Sequence, residues 1–206
     1  MQILFGGTFD PIHQGHLAVA LAVAEQLQES VTLIPNATPP HKQHTRSSAQ
    51  HRWAMLKAAI SPYPQLKASD WELQQRTPSW TIHTLKHWRS MHPKEPLVWV
   101  IGADSLAQLH HWHRWEEFSQ WCHLAVLPRA EAPAPTAAVQ QHFPLAPPQA
   151  LHMQSYGLRA HLPMPLHPVS STEIRQQLAL NHYSPHLPKA VMDYITTHGL
   201  YNVPTP

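Results

Sequence analysis

The first thirty-odd residues constrain the fold more than any other stretch. Ile3-Leu4-Phe5 is an apolar run of strand length, and the glycine pair Gly6-Gly7 follows it. Thr8, Phe9, Asp10 and Pro11 then read as a tight turn. His13, Gly15 and His16 precede an unbroken apolar stretch from Leu17 to Ala24, long enough for a buried helix, which the polar Gln26, Gln28 and Glu29 bring to an end near residue 29. Val31 to Ile34 is a second apolar run, closed by Pro35. Strand–helix–strand over about thirty residues is a βαβ unit, with parallel strands and a right-handed crossover. The turn at its centre suits an anion. Glycines let backbone N–H groups come close, and a helix start adds free N–H groups with a partial positive charge. It is neither of the common phosphate loops, because no G-K-[ST] comes after it and G-x-G-x-x-G is absent.

The pattern continues down the chain. Asn36 to Arg46 is too rich in proline and polar residues for regular structure. Ser47 and Ser48 offer a cap for a helix from Ala49 to about Ile60, with Trp53, Leu56 and Ile60 on one face. Leu66 to Ser69 reads as a short strand, and Pro78 suits the first turn of a helix running to about Met91. Leu97 to Ile101 is the clearest central strand. Gly102 ends it, and Asp104 and Ser105 can cap the next helix. Residues 114–121 suit a helical turn or two. Leu124 to Leu127 is a further strand closed by Pro128. Residues 129–150, rich in Ala, Pro and Gln, read as a surface excursion with a short helix over 137–142. Leu162 to Val169 reads as an edge strand, since its prolines disfavour a central place. Ser170 to Glu173 opens one helix, and Pro188 opens the last, which Gly199 stops. The sum is an α/β chain: a single domain, residues 1–206, with a doubly wound parallel sheet and helices at the C-terminal end. Such sheets bind ligands at the carboxyl ends of their strands.

Composition narrows the classes of function. A formal net charge of +2 with 13% charged residues, and no Lys/Arg block, does not fit a nucleic-acid partner. No apolar run reaches eighteen residues and no signal peptide is visible, so the expectation is a cytoplasmic protein without a membrane partner. The single cysteine, Cys122, excludes an internal disulfide framework. The 19 histidines are scattered, apart from His110, His111 and His113, and read as surface residues of a Lys-poor chain rather than as a metal site.

His13-x-x-His16, set in GGTFDPIHQGHL, resembles the HxGH signature of the nucleotidyltransferase superfamily, and most closely its adenylyltransferase branch. PNATPPHK (residues 35–42), the segment from Glu72 to Leu85, IGADSL (101–106) with Trp112, SSTEIR (170–175) and HLPKAVMDYITTHGLY (186–201) are similar, in order, to motifs of bacterial nicotinate-nucleotide adenylyltransferases. The resemblance runs over nearly the whole chain. It implies a Rossmann-like nucleotidyltransferase fold and transfer of the adenylyl group of ATP to nicotinate mononucleotide, giving nicotinate adenine dinucleotide and pyrophosphate, a step of NAD synthesis. Magnesium would enter with ATP, with no separate metal site. The partners would be these two nucleotides, with a homo-oligomer left open.

The residue roles come from the same resemblance. His13, His16 and Arg175 would be catalytic, stabilising charge on the phosphates as protonated or fixed cations. Gly6, Gly7, Thr8, Phe9, Gly102, Asp104, Ser171 and Thr172 would join them in binding ATP, with Asp104 suited to a ribose hydroxyl. Asp10 would order the loop rather than act as a base. His41, Lys42 and Arg52 would meet the mononucleotide phosphate. Ser79, Trp80 and Thr81 would line the nicotinate pocket, their N–H groups facing the carboxylate, and Trp112 would stack on the ring. No strong base is needed, since the mononucleotide phosphate is already a nucleophile; positioning and positive charge carry the reaction.

Two positions depart from the motifs. Trp80 stands where the family has Tyr, and His83 where it has Asp, which bears on the acceptor pocket rather than on adenylyl transfer. Three other readings compete. An adenylyltransferase for nicotinamide mononucleotide or another phosphate ester would differ in acceptor. A catalytically silent nucleotide sensor need not keep leaving-group contacts. A His-rich metal binder would cluster its histidines.

Overall fold

A computed structural model describes residues 1–37, 45–75, 78–129, 131–164 and 169–205. The opening βαβ unit is β1 (Gln2–Gly7), α1 (Gln14–Leu27) and β2 (Val31–Pro35). Next come α2 (Ala49–Ile60), β3 (Leu66–Ala68), α3 (Thr81–Met91) and β4 (Leu97–Gly102). The short α4 (Ala103–Ala107) and 3₁₀ turns at Leu109–His111 and Trp115–Gln120 lead to β5 (His123–Leu127). The chain continues through α5 (Ala137–His142) to β6 (Arg159–His161), then α6 (Ser171–Asn181) and α7 (Lys189–Thr197). All of these strands lie in one parallel sheet of order β3-β2-β1-β4-β5-β6. The winding reverses between β1 and β4, which opens a crevice at their carboxyl ends.

Strand alternation divides the core into two layers. On β4, Val98 and Val100 face one cluster, with Leu17, Ala20 and Val23 of α1, Met55 and Leu56 of α2, and Val191 and Ile195 of α7. Leu97, Trp99 and Ile101 face the other, with Ile82, Leu85 and Trp88 of α3 and Phe118. On β5, Ala125 and Leu127 go one way and Leu124 and Val126 the other. Both faces being covered explains why these strands read as continuous apolar runs. Each fully buried Leu, Ile or Val adds about 1.5–3 kcal/mol to the folded state before entropy is counted.

Among the polar residues buried in the fold, one lies on a central strand. His123, fully buried on β5, shares its Nε2 proton with the Gln154 carbonyl at 2.9 Å, and its Nδ1 accepts from Leu158 N–H at 3.0 Å. With one nitrogen donating and the other accepting, the neutral ring is fully satisfied. Burial lowers its pKa, which keeps it neutral.

Three expectations need correction. The edge strand is β6, Arg159–His161, rather than 162–169. Leu162 N–H still donates to the Val126 carbonyl at 3.0 Å, but Pro163 has no N–H to continue the ladder. Residues 165–168 of the expected strand lie outside the described residues. The stretch 129–150 is not purely a surface excursion: Val139 of α5 and Phe143 are fully buried in the second core layer. On α2 the inward residues include Arg52, while Trp53 is only half-buried. Ser48 caps that helix as expected, its Oγ accepting from His51 N–H at 3.2 Å.

Candidate active site

A cleft of about 590 Å³ opens where the sheet winding reverses. Its floor is the carboxyl ends of three strands: Phe5, Gly6 and Gly7 of β1, Trp99 to Gly102 of β4, and Leu127 of β5 with Pro128 and Arg129. His13, Gly15 and His16 form one wall, and Ser170 and Ser171 at the start of α6 join it. Thr81 at the start of α3, Trp112, Asp104 and Ser105 also line the cleft. Motifs from five separate stretches of sequence thus meet in one cavity.

The glycine pair is required by space. A Cβ on Gly7 would come within 2.7 Å of the Phe9 ring, and one on Gly6 would strike the Trp99 indole. Phe9 has a positive φ of 48° and is 1% exposed, its ring edge-on to Phe5 at 5.9 Å and to His16 at 5.1 Å. It supports the turn from beneath and does not line the cleft, a departure from its expected nucleotide contact. Thr8 is also outside the lining; its carbonyl accepts from Arg52 Nη1 at 2.8 Å.

His13 is the N-cap of α1, and its ring lies against that of His16 with centroids 3.7 Å apart. It is 4% exposed, and its Nδ1 is buried without a hydrogen-bond partner. Burial pushes its pKa down to about 4, helped by the charges of His186 and Arg129 and opposed by Glu173. The ring is therefore neutral at pH 7. The expected protonated form needs the anion itself, whose charge would offset desolvation.

The start of α6 is closed by a capping box. Ser170 Oγ accepts from Glu173 N–H at 3.2 Å, and Glu173 Oε2 accepts from Ser170 N–H at 2.8 Å. Ser171 Oγ donates to the Pro11 carbonyl at 3.1 Å, and Arg175 Nη1 donates to the Asp10 carbonyl at 2.7 Å. Arg175 Nη2 also donates to Thr172 Oγ1 at 3.1 Å. Ser171 lines the cleft, whereas Thr172 and Arg175 sit outside the lining, with Arg175 tied to the turn after β1.

At the start of α3, Ser79 Oγ accepts from Ala37 N–H at 2.9 Å, joining this helix to the loop after β2. Ser79 and Trp80 lie behind Thr81 rather than in the cleft lining. The Trp80 ring packs against His113 at 4.8 Å, and His83 faces His113 at 6.5 Å. The two departures from the family motif therefore meet in one small aromatic group. Glu72 lies close by, accepting from Thr84 Oγ1 at 2.5 Å, and burial raises its pKa.

Arg52 does not reach the cleft. Its side chain is fully buried and spans the Thr8 carbonyl and the Ala37 carbonyl, at 2.8 and 3.2 Å. It braces the loops after β1 and β2, in place of the expected contact with substrate phosphate. His41 and Lys42 lie outside the described residues. Arg129 is among the lining residues that no motif marked as a site residue, with Asn36 and Ser105. It lines the cleft with its Nε 3.8 Å from Asp104 Oδ1. The usable signal was its place just beyond β5, matching that of Asp104 just beyond β4. Among the described residues, no group of three or more His, Cys, Asp or Glu could hold a metal ion, and no helix is long and apolar enough to cross a membrane.

Comparison with known proteins agrees with this geometry. The cytidylyltransferase-like family pattern matches residues 4–177. A probable nicotinate-nucleotide adenylyltransferase of Idiomarina loihiensis is 39% identical over 207 residues, covering 98% of this chain and 99% of the relative. One from Pectobacterium atrosepticum is 41% identical, covering 96% of each. Among solved structures, the Plasmodium falciparum nicotinic acid mononucleotide adenylyltransferase complexed with NaAD superposes with a TM-score of 0.74. It is 18% identical, over 98% of this chain and 97% of that one.

Proposed function

The chain belongs to the nicotinate-nucleotide adenylyltransferases of the cytidylyltransferase-like family, and from that premise we propose how its cleft transfers the adenylyl group of ATP to nicotinate mononucleotide. The observation that carries the reading is the union, in one cavity, of the Gly6-Gly7 turn and His13–His16 pair with Thr81 and Trp112. The first set suits a triphosphate. The second suits a flat aromatic acid, with a helix start for its carboxylate and an indole for its ring.

The chemistry asks for little covalent participation by the protein. A phosphate oxygen of the mononucleotide attacks the α-phosphorus of ATP, the bond from that phosphorus to the bridging oxygen breaks, and pyrophosphate leaves with the electron pair. His13 and His16 donate hydrogen bonds to phosphate oxygens, with charge on His13 restored by the anion. Ser171 meets the β- and γ-phosphates from the cleft lining, and Thr172 and Arg175, beside that lining at the same helix start, join it there once the triphosphate is bound. Gly102 and Asp104 hold the nucleoside end. Mg²⁺ entering with ATP would supply further charge neutralisation. Arg129, beside Asp104, adds a cation at the floor of the cleft. The helix start at Thr81 favours the acid over the amide, because an amide brings no charge to the helix dipole. The protein acts in the cytoplasm on this reading.

The test is a paired-substrate assay of pyrophosphate release. Release is expected with ATP, Mg²⁺ and nicotinate mononucleotide, and much less with nicotinamide mononucleotide. Equal rates would remove the acid specificity, release only with the amide would reverse it, and release with neither would refute the activity.

A further inference from the structure

The turn after β1 is organised by Asp10, for which the motif implied only a loop-ordering role. Asp10 is 4% exposed, and its carboxylate accepts three hydrogen bonds. Arg46 N–H donates to Oδ2 at 2.7 Å; Ser47 Oγ donates to Oδ1 at 2.8 Å, and Tyr201 Oη donates to the same oxygen at 2.7 Å. The two hydroxyls are 3.0 Å from each other. Three donors fix the carboxylate, and with it the peptide plane of Asp10. The carbonyl of that residue is what holds Arg175 Nη1.

Tyr201 reaches this point from 191 residues further along the chain, through an unusual backbone. Tyr201 and its neighbour Asn202 both lie in the left-handed region, with φ of 55° and 65°. Two successive non-glycine residues there are strained, and such strain persists only where the surroundings over-determine it. What the strained pair delivers is a phenol hydroxyl to Asp10. Burial and the Asp10 carboxylate push the Tyr201 pKa up, so the hydroxyl stays a donor at any working pH.

We propose that Tyr201 is a positioning residue for Arg175, acting through Asp10. Arg175 is a long side chain only partly buried, and such a group spreads over many rotamers unless it is anchored. Thr172 Oγ1 holds one terminal nitrogen, and the Asp10 carbonyl holds the other. Of the five N–H donors of the guanidinium, these two bonds leave others for phosphate oxygens. Pre-setting that orientation lowers the barrier for pyrophosphate departure without tightening substrate binding. The proposal rests on the reading above, in which Arg175 meets the leaving group.

A double-mutant cycle separates the two. The full-length parent, Tyr201→Phe, Arg175→Lys and the double variant are assayed for pyrophosphate release with saturating MgATP and nicotinate mononucleotide. Tyr201→Phe is expected to lower kcat by about 5- to 20-fold with KM for nicotinate mononucleotide within about twofold. In the Arg175→Lys background the same change is expected to cost less than about twofold, because its route to the reaction is already gone. Ser47→Ala removes a second donor to the same oxygen and is expected to show the same background dependence, so the result does not hang on one variant folding. Unchanged kcat in Tyr201→Phe, or losses that multiply in the double variant, would overturn the positioning role. Full kcat in Arg175→Lys would refute the leaving-group reading itself.

Discussion

His16 touches Phe9 on one side and His13 on the other, so its ring is placed by packing as well as by the helix. His16→Ala should lower kcat by about 10²–10³-fold, as loss of an oriented charge-stabilising donor does, while circular dichroism still shows a cooperative melt. A variant with full turnover would remove the phosphate role. His13 has a second consequence. Because burial holds it neutral, with a pKa down to about 4, loading of a phosphate beside it should draw in a proton at pH 6. Calorimetric titration of MgATP in two buffers of different ionisation enthalpy should show that uptake, and His13→Asn should abolish it. At this scale what the sequence makes legible is place: most motif residues expected in the site come together. Gly6, Gly7, His13, His16, Gly102, Asp104, Thr81, Trp112 and Ser171 all line the cleft. Arg52 lies outside that lining, bonded to two carbonyls at residues 8 and 37, and no sequence pattern marks a carbonyl as occupied. Arg129 was missed because Pro128 made the following stretch look like loop.

The elements show the same division between local and distant causes. The SSTE start of α6 is a local signal, and the capping box forms as the residue types require. Ser170→Ala removes one acceptor for an orphan helix N–H and should cost about 1 kcal/mol, lowering the melting temperature by about 2–4 °C in a chain of this size. A scanning calorimeter reads that directly, and no change would mean that Glu173 alone closes the helix. The start of α3 is the opposite case. Trp80 provides no side-chain cap and the first turn carries no acid, since His83 replaces the family Asp. That helix starts where it does because Ile82, Leu85 and Trp88 pack into the second core layer, a tertiary cause that its own residues only hint at. The edge strand was misplaced for a related reason. Arg159-Ala160-His161 has no apolar run to announce it, and only pairing with Leu124 to Val126 makes it a strand.

For the whole molecule, alternating strands and helices were enough to indicate a doubly wound sheet. The strand order and the position of the cleft came from packing. Stability should fall on acidification. His13, His83, His87 and His123 all have pKa values lowered by burial, so below their ordinary value near 6.5 the unfolded chain binds protons that the folded one refuses. His13 alone, brought down to about 4, accounts for about 3 kcal/mol lost between those two pH values. Glu72, whose pKa is raised, works the other way but is one group against four. Urea midpoints should therefore drop from pH 7.5 to pH 5, and a flat profile would mean that the histidines charge without unfolding the chain. The turn after β1 has a further property at this scale. It is held from the far end of the chain: Gln14 N–H by the His186 carbonyl, Pro11 by Ser171, Asp10 by Arg175 and Tyr201. Residues 10, 11 and 14 are thus fixed by residues between 171 and 201, which are translated later. At ribosomal speeds of about 5–20 residues per second, roughly ten seconds or more separate Gln2 from Tyr201. Throughout that interval the emerging polypeptide can hold its first βαβ unit but lacks the partners that finish the turn, so the turn is completed late in synthesis.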